Sequence, residues 1–195
     1  MKILYVNGHP YAQSYHAAIR DSYVAAARAA GHDVEVLNLG ELSFDPVLRF
    51  GYGKRMPEDA VIDESQRLVK WADHIVFAFP IWWGTPTSLL TGWIERVFTP
   101  GFSYHMTSLL KVERFLVGRT ADIIITSRAP RFAWLLAGNS GAGPFTHNLF
   151  LLTGIKKRKI IALDFMTLKP DTQARREKFL ARVAKLARSL SSERL

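Results

Sequence analysis

The sequence contains no cysteine in its 195 residues. This absence excludes disulfide staples, thiolate metal sites, iron–sulfur clusters held by cysteine, and cysteine nucleophiles. No apolar run reaches the roughly 20 residues that a helix needs to cross a bilayer. The opening segment Met1–Val6 also lacks the long apolar core and small-residue cleavage site of a signal peptide. The sequence therefore predicts a cytoplasmic protein.

Several catalytic signatures are missing as well. The loop after the first apolar run has neither the G-x-G-x-x-G of a dinucleotide-binding turn nor the Gly-Lys-Ser/Thr of a P-loop. There is no G-x-S-x-G nucleophile elbow. No two histidines stand at H-x-x-x-H or H-E-x-x-H spacing, so we predict no metal site.

Acidic residues are outnumbered by basic ones. Lysine and arginine number 26 against 17 aspartate and glutamate, which gives a net charge of +9. Such a surface attracts phosphorylated cofactors, anionic lipid and nucleic acid alike. The densest run is Lys156–Lys159, but basic runs of this kind are usually solvated faces. Because no zinc-finger, RNP or KH signature accompanies the run, no nucleic-acid partner is predicted.

The chain alternates between short β-branched runs and longer segments of helical periodicity. With 48% hydrophobic and 22% charged residues, its composition suits a single compact domain over residues 1–195. The apolar runs predict strands at Lys2–Val6, Asp33–Leu37, His74–Phe79, Ala121–Thr126 and Lys159–Phe165. The helical spacing predicts helices at Ser14–Ala30, Pro57–Ala72, Thr87–Phe98, Gly143–Thr153 and Pro170–Leu190.

This β-α alternation predicts an α/β fold, in which a doubly wound parallel sheet carries helices on both faces. Five strands allow the order 2-1-3-4-5, where ligands bind at the carboxyl ends of strands 1 and 3 because the winding reverses there. We therefore expect the chemistry to come from the loops that follow Val6, Phe79 and Thr126.

The first of these loops, Asn7–Tyr15, leads polar residues into a helix start. Ser14 is a suitable N-cap, and the amides of Tyr15 and His16 would point outward from the positive end of the helix. Such a turn can hold a phosphate with neutral donors alone. The alternative is that Ser14 only caps its own helix and that His9 sits in an ordinary turn.

The second loop, Phe79–Pro86, contains two adjacent tryptophans, Trp82 and Trp83. Neighbours on an extended chain point in opposite directions, so both cannot enter the same core. Pro80 stiffens this loop, and Gly84 allows the backbone to approach a flat ligand closely. A planar heterocycle fits this pattern. A hydrophobic dimer patch is the alternative, and the two interpretations are compatible.

The third loop, Thr126–Trp134, offers hydroxyls and backbone amides at a strand end. Arg128 would place positive charge beside an electron-rich ring and stabilise its reduced anion. Phe132 and Trp134 would form a pocket wall. Taken alone, the segment is equally consistent with an ordinary loop.

Together these motifs resemble those of the NAD(P)H:quinone oxidoreductases of the DT-diaphorase type, which are flavodoxin-like flavoproteins. Their bacterial relatives include drug-activity modulators and potassium-efflux ancillary oxidoreductases. The likeness runs over nearly the whole chain, and its specific part is the block from Phe79 to Tyr104. The motifs that carry it are Asn7-Gly8-His9-Pro10, Ser14-Tyr15, Phe79-Pro80-Ile81-Trp82-Trp83-Gly84, Gly92-Trp93-Ile94-Glu95-Arg96-Val97-Phe98 and Gly101-Phe102-Ser103-Tyr104.

The resemblance implies a non-covalent flavin, FMN or FAD, with NAD(P)H as co-substrate, and a homodimer with its sites at the subunit interface. The residues implied at the phosphate side are His9, Gln13, Ser14, Tyr15 and His16. Those along the isoalloxazine edge are Pro80, Ile81, Trp82, Trp83 and Gly84, and those at the pyrimidine end are Thr126, Ser127, Arg128 and Ala129. The implied lining of the slot shared by nicotinamide and acceptor is Trp83, Tyr104 and Trp134.

The sequence departs from the family pattern at three places. Thr126-Ser127-Arg128-Ala129 replaces a common Thr-Thr-Gly-Gly, and Thr87-Ser88 replaces Pro-Ala. The Tyr and His that assist hydride transfer in the mammalian-type enzymes align with Trp134 and Ser140. We therefore predict no acid–base residue; the flavin N5 carries the hydride, with Trp134 and Arg128 as the only candidates for assistance.

The resemblance favours an enzyme that passes hydride from NAD(P)H through the flavin to a quinone, nitroaromatic or azo acceptor by a ping-pong mechanism. FMN is preferred over FAD because the loop Asn38–Pro57 looks too short to shelter an adenine. One alternative is a flavin-binding regulatory subunit that associates with a transporter or membrane surface through Lys156–Lys159. A second is a flavodoxin-like electron carrier, against which the net charge of +9 and the paired tryptophans weigh.

Overall fold

The computed structural model describes residues 1–108, 111–130, 132–133 and 143–190. The strands in these residues are β1 (Lys2–Asn7), β2 (Asp33–Asn38), β3 (His74–Ile81), β4 (Tyr104–Ser108), β5 (Lys111–Arg114), β6 (Thr120–Ser127) and β7 (Lys156–Leu163). The α-helices are α1 (Tyr15–Ala29), α2 (Ala60–Trp71), α3 (Ser88–Val97), α4 (Gly143–Thr153) and α5 (Gln173–Arg188). A short 3-10 helix, Leu39–Glu41, follows β2.

Five strands form one parallel sheet in the order β2-β1-β3-β6-β7. The predicted doubly wound fold is confirmed, with β6 and β7 as its fourth and fifth strands. The strand order reverses at β1 and β3, so the loops that follow these two neighbouring strands leave towards opposite faces of the sheet at its carboxyl edge. This edge is where the fold opens a crevice for a ligand.

Side chains alternate between two cores because successive residues of a strand face opposite sides of the sheet. Leu4 and Val6 of β1 pack into one core beneath α2, α3 and α4, whereas Ile3 and Tyr5 pack into the other beneath α1 and α5. The helices therefore cover both faces, as predicted. Every residue of β3 is buried, which explains its continuous apolar sequence.

The hairpin of β4 and β5 was not predicted. It leaves the main sheet as a two-stranded antiparallel ribbon, and most of its side chains are exposed. The sequence gives no clear signal for it because Tyr104–Ser108 is largely polar. Only Tyr104 in this strand is partly buried, and the other four residues are exposed.

Strand β7 begins at Lys156, three residues before the predicted start at Lys159, and it ends at Leu163 rather than Phe165. The predicted strand included only Lys159 of the basic run. However, β7 is an edge strand whose lysines project into solvent, and such residues are common on sheet edges.

Helix α2 begins at Ala60 rather than at the predicted Pro57. The side chain of Asp59 accepts hydrogen bonds from the amides of Val61 and Ile62, and this cap fixes the first turn. Helix α5 likewise begins at Gln173, capped by Thr172, instead of at Pro170. In both cases the predicted proline lies in the chain that leads up to the cap.

A charged cluster lies buried at the amino end of the central strands. Asp122 is fully buried and pairs with Arg158, and its Oδ1 also accepts from the Lys159 amide at 3.0 Å. His74 is fully buried beside it and shares a 2.7 Å hydrogen bond with Thr120. Burial alone would raise the pKa of Asp122, but hydrogen bonds from His74 and Arg158 outweigh it and lower that pKa. Arg158, one residue of the basic run Lys156–Lys159, therefore has a structural role.

No helix among the described residues combines the length and apolarity needed to traverse a bilayer.

Candidate active site

A cavity of about 360 Å³ opens at the carboxyl ends of β3 and β6, beside the loop that follows β1. It occupies the crevice at the reversal of strand order. Its lining residues are His9, Tyr15, His16, Pro80, Ile81, Trp82, Thr126, Ser127, Arg128, Met166 and Thr167. The three loops singled out from the sequence therefore converge.

A larger cleft, of about 690 Å³, lies elsewhere, between the 48–59 segment and helices α2 and α3. Both acidic and basic side chains line this cleft, including Lys54, Asp59 and Arg96. None of the sequence-predicted site residues lines it. We place the functional site in the smaller cavity because position at the strand ends is a better guide to ligand binding in this architecture than size.

His9 enters the cavity as a neutral imidazole. Its Nδ1 accepts a 3.0 Å hydrogen bond from the amide of Tyr11, and Asn7 holds the His9 amide at 3.2 Å. Burial lowers the pKa of His9. Because an amide can donate only to an unprotonated Nδ1, the ring carries its hydrogen on Nε2. His9 thus presents a donor.

His16, on the first turn of α1, is only 2% exposed. Its Nε2 lies 2.9 Å from Thr126 Oγ1, a contact that joins α1 to the end of β6. Its Nδ1 is buried and has no hydrogen-bond partner among the described residues. Burial, with a smaller contribution from His9 at 5.5 Å between ring centroids, lowers the pKa of His16 to about 3. The ring is neutral near pH 7.

Ser14 occupies the N-cap of α1 with an extended backbone, as predicted. Its side chain makes no capping hydrogen bond, and its Oγ is buried without a partner in the part of the chain that the structure describes. An unsatisfied buried hydroxyl costs stability unless something completes it. Together with His16 Nδ1, it leaves two polar atoms without partners at the positive end of a helix. The residues present fit a phosphate at this place.

The first loop is held in position by α3. Thr87, the N-cap of α3, donates to the Gly8 carbonyl at 2.7 Å and accepts from the Leu90 amide at 3.2 Å. Gly8 packs so closely that a Cβ there would lie 3.0 Å from Leu90 Cβ and 3.2 Å from Phe79 Cβ. The threonine that departs from the family pattern therefore joins the first two loops.

The second loop is a tight turn closed by two backbone hydrogen bonds of 3.0 Å between Trp82 and Thr85. Its central residues have positive φ, 52° at Trp83 and 77° at Gly84, which is routine for glycine but strained for tryptophan. Trp82 lines the cavity and meets His9 edge-on at 5.5 Å. Trp83 points away and is fully exposed.

Pro80 and Ile81 belong to the end of β3 and not to the loop. Across from them, Ser127 closes β6, and its hydroxyl donates to the Ala129 carbonyl at 2.6 Å. Arg128 lies just beyond the strand, is exposed, and lines the cavity. It forms no ion pair with the described part of the chain.

The fourth wall, formed by Met166 and Thr167, was missed in the sequence. The loop of residues 164–171, called the 164–171 loop below, is anchored to β6 by a 3.0 Å hydrogen bond from the Met166 amide to the Ser127 carbonyl. Phe165 and Thr167 have φ of 62° and 64°. With Trp83, they are the non-glycine residues of positive φ in the described ranges, so backbone strain concentrates around this cavity.

An ion pair fixes the 164–171 loop to α5 and α1. Asp171 accepts from the Thr167 amide at 2.7 Å and from Arg176 at 2.7 and 2.9 Å. Arg176 also lies over the Tyr15 ring, at 5.1 Å, and its carbonyl accepts from the Tyr15 hydroxyl at 2.8 Å. The hydrogen bonds from Arg176 lower the pKa of Asp171 to about 2. The wall formed by Met166 and Thr167 follows the fifth strand of a parallel sheet, and this position is the sequence signal that could have identified it.

The family model Flavodoxin_2, described by its flavodoxin-like fold, matches residues 1–187. The chain belongs to this family. The motif resemblance to the NAD(P)H:quinone oxidoreductases is confirmed, and with it the expectation of an oxidoreductase enzyme.

Three relatives illustrate the match. The crystal structure of Smu.1420 from Streptococcus mutans UA159 is 31% identical, covers 97% of this chain and 100% of that one, and superposes with a TM-score of 0.84. NAD(P)H dehydrogenase (quinone) 1 of Cavia porcellus is 28% identical over 163 residues, 72% of this chain and 58% of that protein. Ribosyldihydronicotinamide dehydrogenase (quinone) of Mus musculus is 26% identical over 180 residues, 80% of this chain and 78% of that protein.

Of the fourteen residues predicted to bind a flavin in this family member, nine line the cavity. The five that do not are Gln13, Ser14, Trp83, Gly84 and Ala129. Ser14 and Ala129 adjoin lining residues, since Ser14 occupies the N-cap position before Tyr15 and the Ala129 carbonyl accepts from Ser127.

The two predicted substrate-pocket residues that the structure describes, Trp83 and Tyr104, do not line a common cavity within the chain. Trp83 is outside the cavity, and Tyr104 lines a separate apolar groove of about 250 Å³ beside α3 and α4. Trp134 lies outside the described residues. A shared slot formed by these three side chains stays a prediction.

Proposed function

We propose that this protein is a flavin-dependent oxidoreductase that passes hydride from NAD(P)H to quinones and related electrophilic aromatics. The observation that carries the proposal is the cavity at the reversal of strand order. Beside it, at the start of α1, His16 Nδ1 and Ser14 Oγ have no partner among the described residues. A bound flavin supplies the hydride-accepting and hydride-donating ring. The names of the guinea-pig and mouse relatives support the reaction class.

The chain's own residues bind and orient. The first turn of α1, with Ser14 and His16, would hold the phosphate through neutral donors and the helix dipole. Pro80, Ile81 and Trp82 present an apolar wall along which a planar ring can lie. Met166 faces the same space and helps exclude water.

Arg128 is the electrostatic element of the proposal. Among the described residues that line the cavity it is the one lysine or arginine. Negative charge that develops on a reduced ring would be stabilised by a nearby guanidinium. Its role is to favour the reduced cofactor and not to transfer a proton.

We propose a ping-pong order, in which the oxidised nicotinamide leaves before the acceptor enters the same cavity. The relatives named above differ in the reductant that their names print, NAD(P)H in one and ribosyldihydronicotinamide in the other. Both reductants present the same dihydronicotinamide ring, so a slot that accepts this ring suits either one.

FMN is the proposed cofactor. An adenine would need a shelter beyond the phosphate, and the Asn38–Pro57 segment was the candidate for it. None of the residues that line the cavity comes from that segment. On the side of Tyr15, the Arg176–Asp171 ion pair already fills the space next to the ring.

A homodimer is part of the proposal. The apolar groove beside α3 and α4, lined in part by Ile94, Phe98 and Leu152, is open in the single chain, and Trp83 is fully exposed. Apolar surface of this kind marks an interface. A second copy would cover the groove and bring additional side chains towards the cavity of its partner.

The deciding experiment is purification followed by a visible spectrum and mass identification of the released cofactor. We expect a yellow protein that releases FMN, and NADH or NADPH oxidation that accelerates when a quinone is added. A colourless preparation that takes up neither FMN nor FAD would refute the proposal. A flavoprotein that exchanges electrons singly and oxidises no nicotinamide would favour an electron carrier instead.

A further inference from the structure

The phosphate end of the cavity lacks a fixed positive charge. Arg128 follows the end of β6, Arg176 is paired with Asp171, and Arg175 donates to the Asp164 carbonyl and lies over the Phe165 ring. Arg20, one turn further along α1, is engaged by Asp21 and Asn38. A phosphate monoester carries close to two negative charges at pH 7. In the described part of the chain, neutral donors alone meet it there.

A proton on a buried imidazole would supply the missing charge. His16 lies on the first turn of α1, and its Nδ1 has no partner within the described ranges. Its Nε2 faces the hydroxyl of Thr126, which can both donate and accept. With its hydrogen on Nε2 and donated to Thr126, the neutral ring can gain a second proton on Nδ1 and keep this bond, because the Thr126 hydroxyl accepts in both states.

His9 is less able to take the proton. Its Nδ1 accepts from the Tyr11 amide, and protonation there would break this bond. The two rings also lie 5.5 Å apart, so charging both is unfavourable. The structure therefore favours His16 over His9 as the proton acceptor.

The ionisable surroundings of His16 are few. His9 faces it from the loop after β1, and Tyr15 adjoins it on α1. Thr126 of β6 contacts His16, and Arg128, just after this strand, lines the same cavity. On the far side of Tyr15 lies the Asp171–Arg176 ion pair, whose charges offset each other. The Asp164 carboxylate lies 3.4 Å from the Ser127 hydroxyl at the cavity wall. Because no carboxylate of the described residues forms a hydrogen bond or ion pair with His16, the ring stays neutral until an anion arrives.

We propose that His16 takes up a proton when the phosphate of the cofactor binds, so that the protein holds a phosphorylated flavin more tightly as the pH falls. The inference rests on the proposed function and adds a linkage between cofactor retention and pH. Its sign follows from the bound state having more protons than the free state. In the free protein, burial keeps the pKa of His16 at about 3, so the ring is uncharged before binding.

The test is calorimetric titration of the full chain, freed of flavin, with FMN at pH 7.5 in two buffers of different ionisation enthalpy. The dependence of the measured heat on the buffer gives the number of protons taken up. We expect about half to one proton per FMN and close to none with riboflavin, which lacks the phosphate. The FMN dissociation constant should rise about three- to tenfold per pH unit between pH 7 and 8.5.

The matched variant is His16→Asn. Asparagine can donate to a phosphate and bond Thr126, but it cannot take up a proton. We expect this variant to bind FMN without proton uptake and with a flat pH profile, while His32→Asn, at the other end of the sheet, should behave as wild type. FMN binding without proton uptake in the wild type, or uptake that persists in His16→Asn, would overturn the inference and leave the proposed function intact. Failure of both FMN and riboflavin to bind at any pH would overturn both.

Discussion

Single side chains at this site take their properties from neighbours far away in the sequence. The pairing of His16 with Thr126 spans 110 residues, and the sequence around either one does not indicate it. The sequence did indicate both residues, because Thr126 lies at the end of a parallel strand and His16 lies at the start of the helix that follows another. What it could not give is the protonation state, which depends on burial and on the hydrogen bonds formed after folding.

Replacing Arg128 by glutamate should slow reduction of the bound flavin by NAD(P)H about tenfold or more. A negative charge in place of the guanidinium opposes the charge that develops on the ring. Stopped-flow measurement of the reductive half-reaction checks this expectation. Lys157→Glu, an equal charge reversal on the distant edge strand, serves as the control. Equal rates in the two variants would remove Arg128 from its assigned role.

At the scale of structural elements, the 164–171 loop shows how a wall of the site is fastened. Its strained residues, Phe165 and Thr167, are held by the Asp171–Arg176 pair and by the hydrogen bond to Ser127. The regular strands and helices were predictable from apolar periodicity, and the loop was not. Left-handed conformations at phenylalanine and threonine have no local sequence signal, since tertiary contacts impose them.

Asp171→Asn should lower the free energy of unfolding by about 1–2 kcal/mol at pH 7. The pKa of Asp171 is about 2 in the folded chain, below the value of about 3.9 expected when unfolded. A lowered carboxyl pKa stabilises above the unfolded pKa, and this contribution is lost as the pH falls through the folded pKa. The difference from wild type should therefore shrink between pH 4 and pH 2.

Urea unfolding of the flavin-free chain at pH 7, 4 and 2.5 measures this trend. Glu64→Gln removes an exposed pair with Arg67 on α2 and should have a smaller effect. A pH-independent difference between wild type and Asp171→Asn would contradict the assignment.

On the scale of the whole molecule, the sheet separates stability from function. The charged cluster of Asp122, Arg158 and His74 lies at the amino ends of the strands, whereas the cavity lies at the carboxyl ends. The sequence predicted the five-strand order and therefore the edge that carries the site. It did not predict the buried ion pair, because Arg158 looked like one more member of a solvated basic run.

Asp122→Leu should cost about 3 kcal/mol of stability, since it leaves Arg158 without its buried partner. Adding Arg158→Met should recover much of that loss, because two apolar side chains fill the same volume and leave no unpaired buried charge. Denaturant midpoints of the single and double variants test this, with FMN affinity as a control that should not change. A double variant no more stable than Asp122→Leu would show that the pair itself is not the source of the loss.

At the scale of the whole molecule, the proposed homodimer can also be tested. Light scattering with size exclusion should give the mass of two chains for the wild type, and Leu152→Asp should give one. The reason is that a charge in the apolar groove beside α3 and α4 opposes its burial. Val47→Asp, at another exposed apolar residue, is the matched control and should remain dimeric. A wild type with the mass of one chain would exclude the homodimer.

The lysines along β7 have a further consequence. An outer strand offers unused amide and carbonyl groups on which a stray β-segment can assemble, and closely spaced like charges discourage that growth. Lys156, Lys157 and Lys159 line this margin. If they were exchanged for neutral β-formers, the expected outcome is a protein that still folds but that precipitates or forms fibrils during expression.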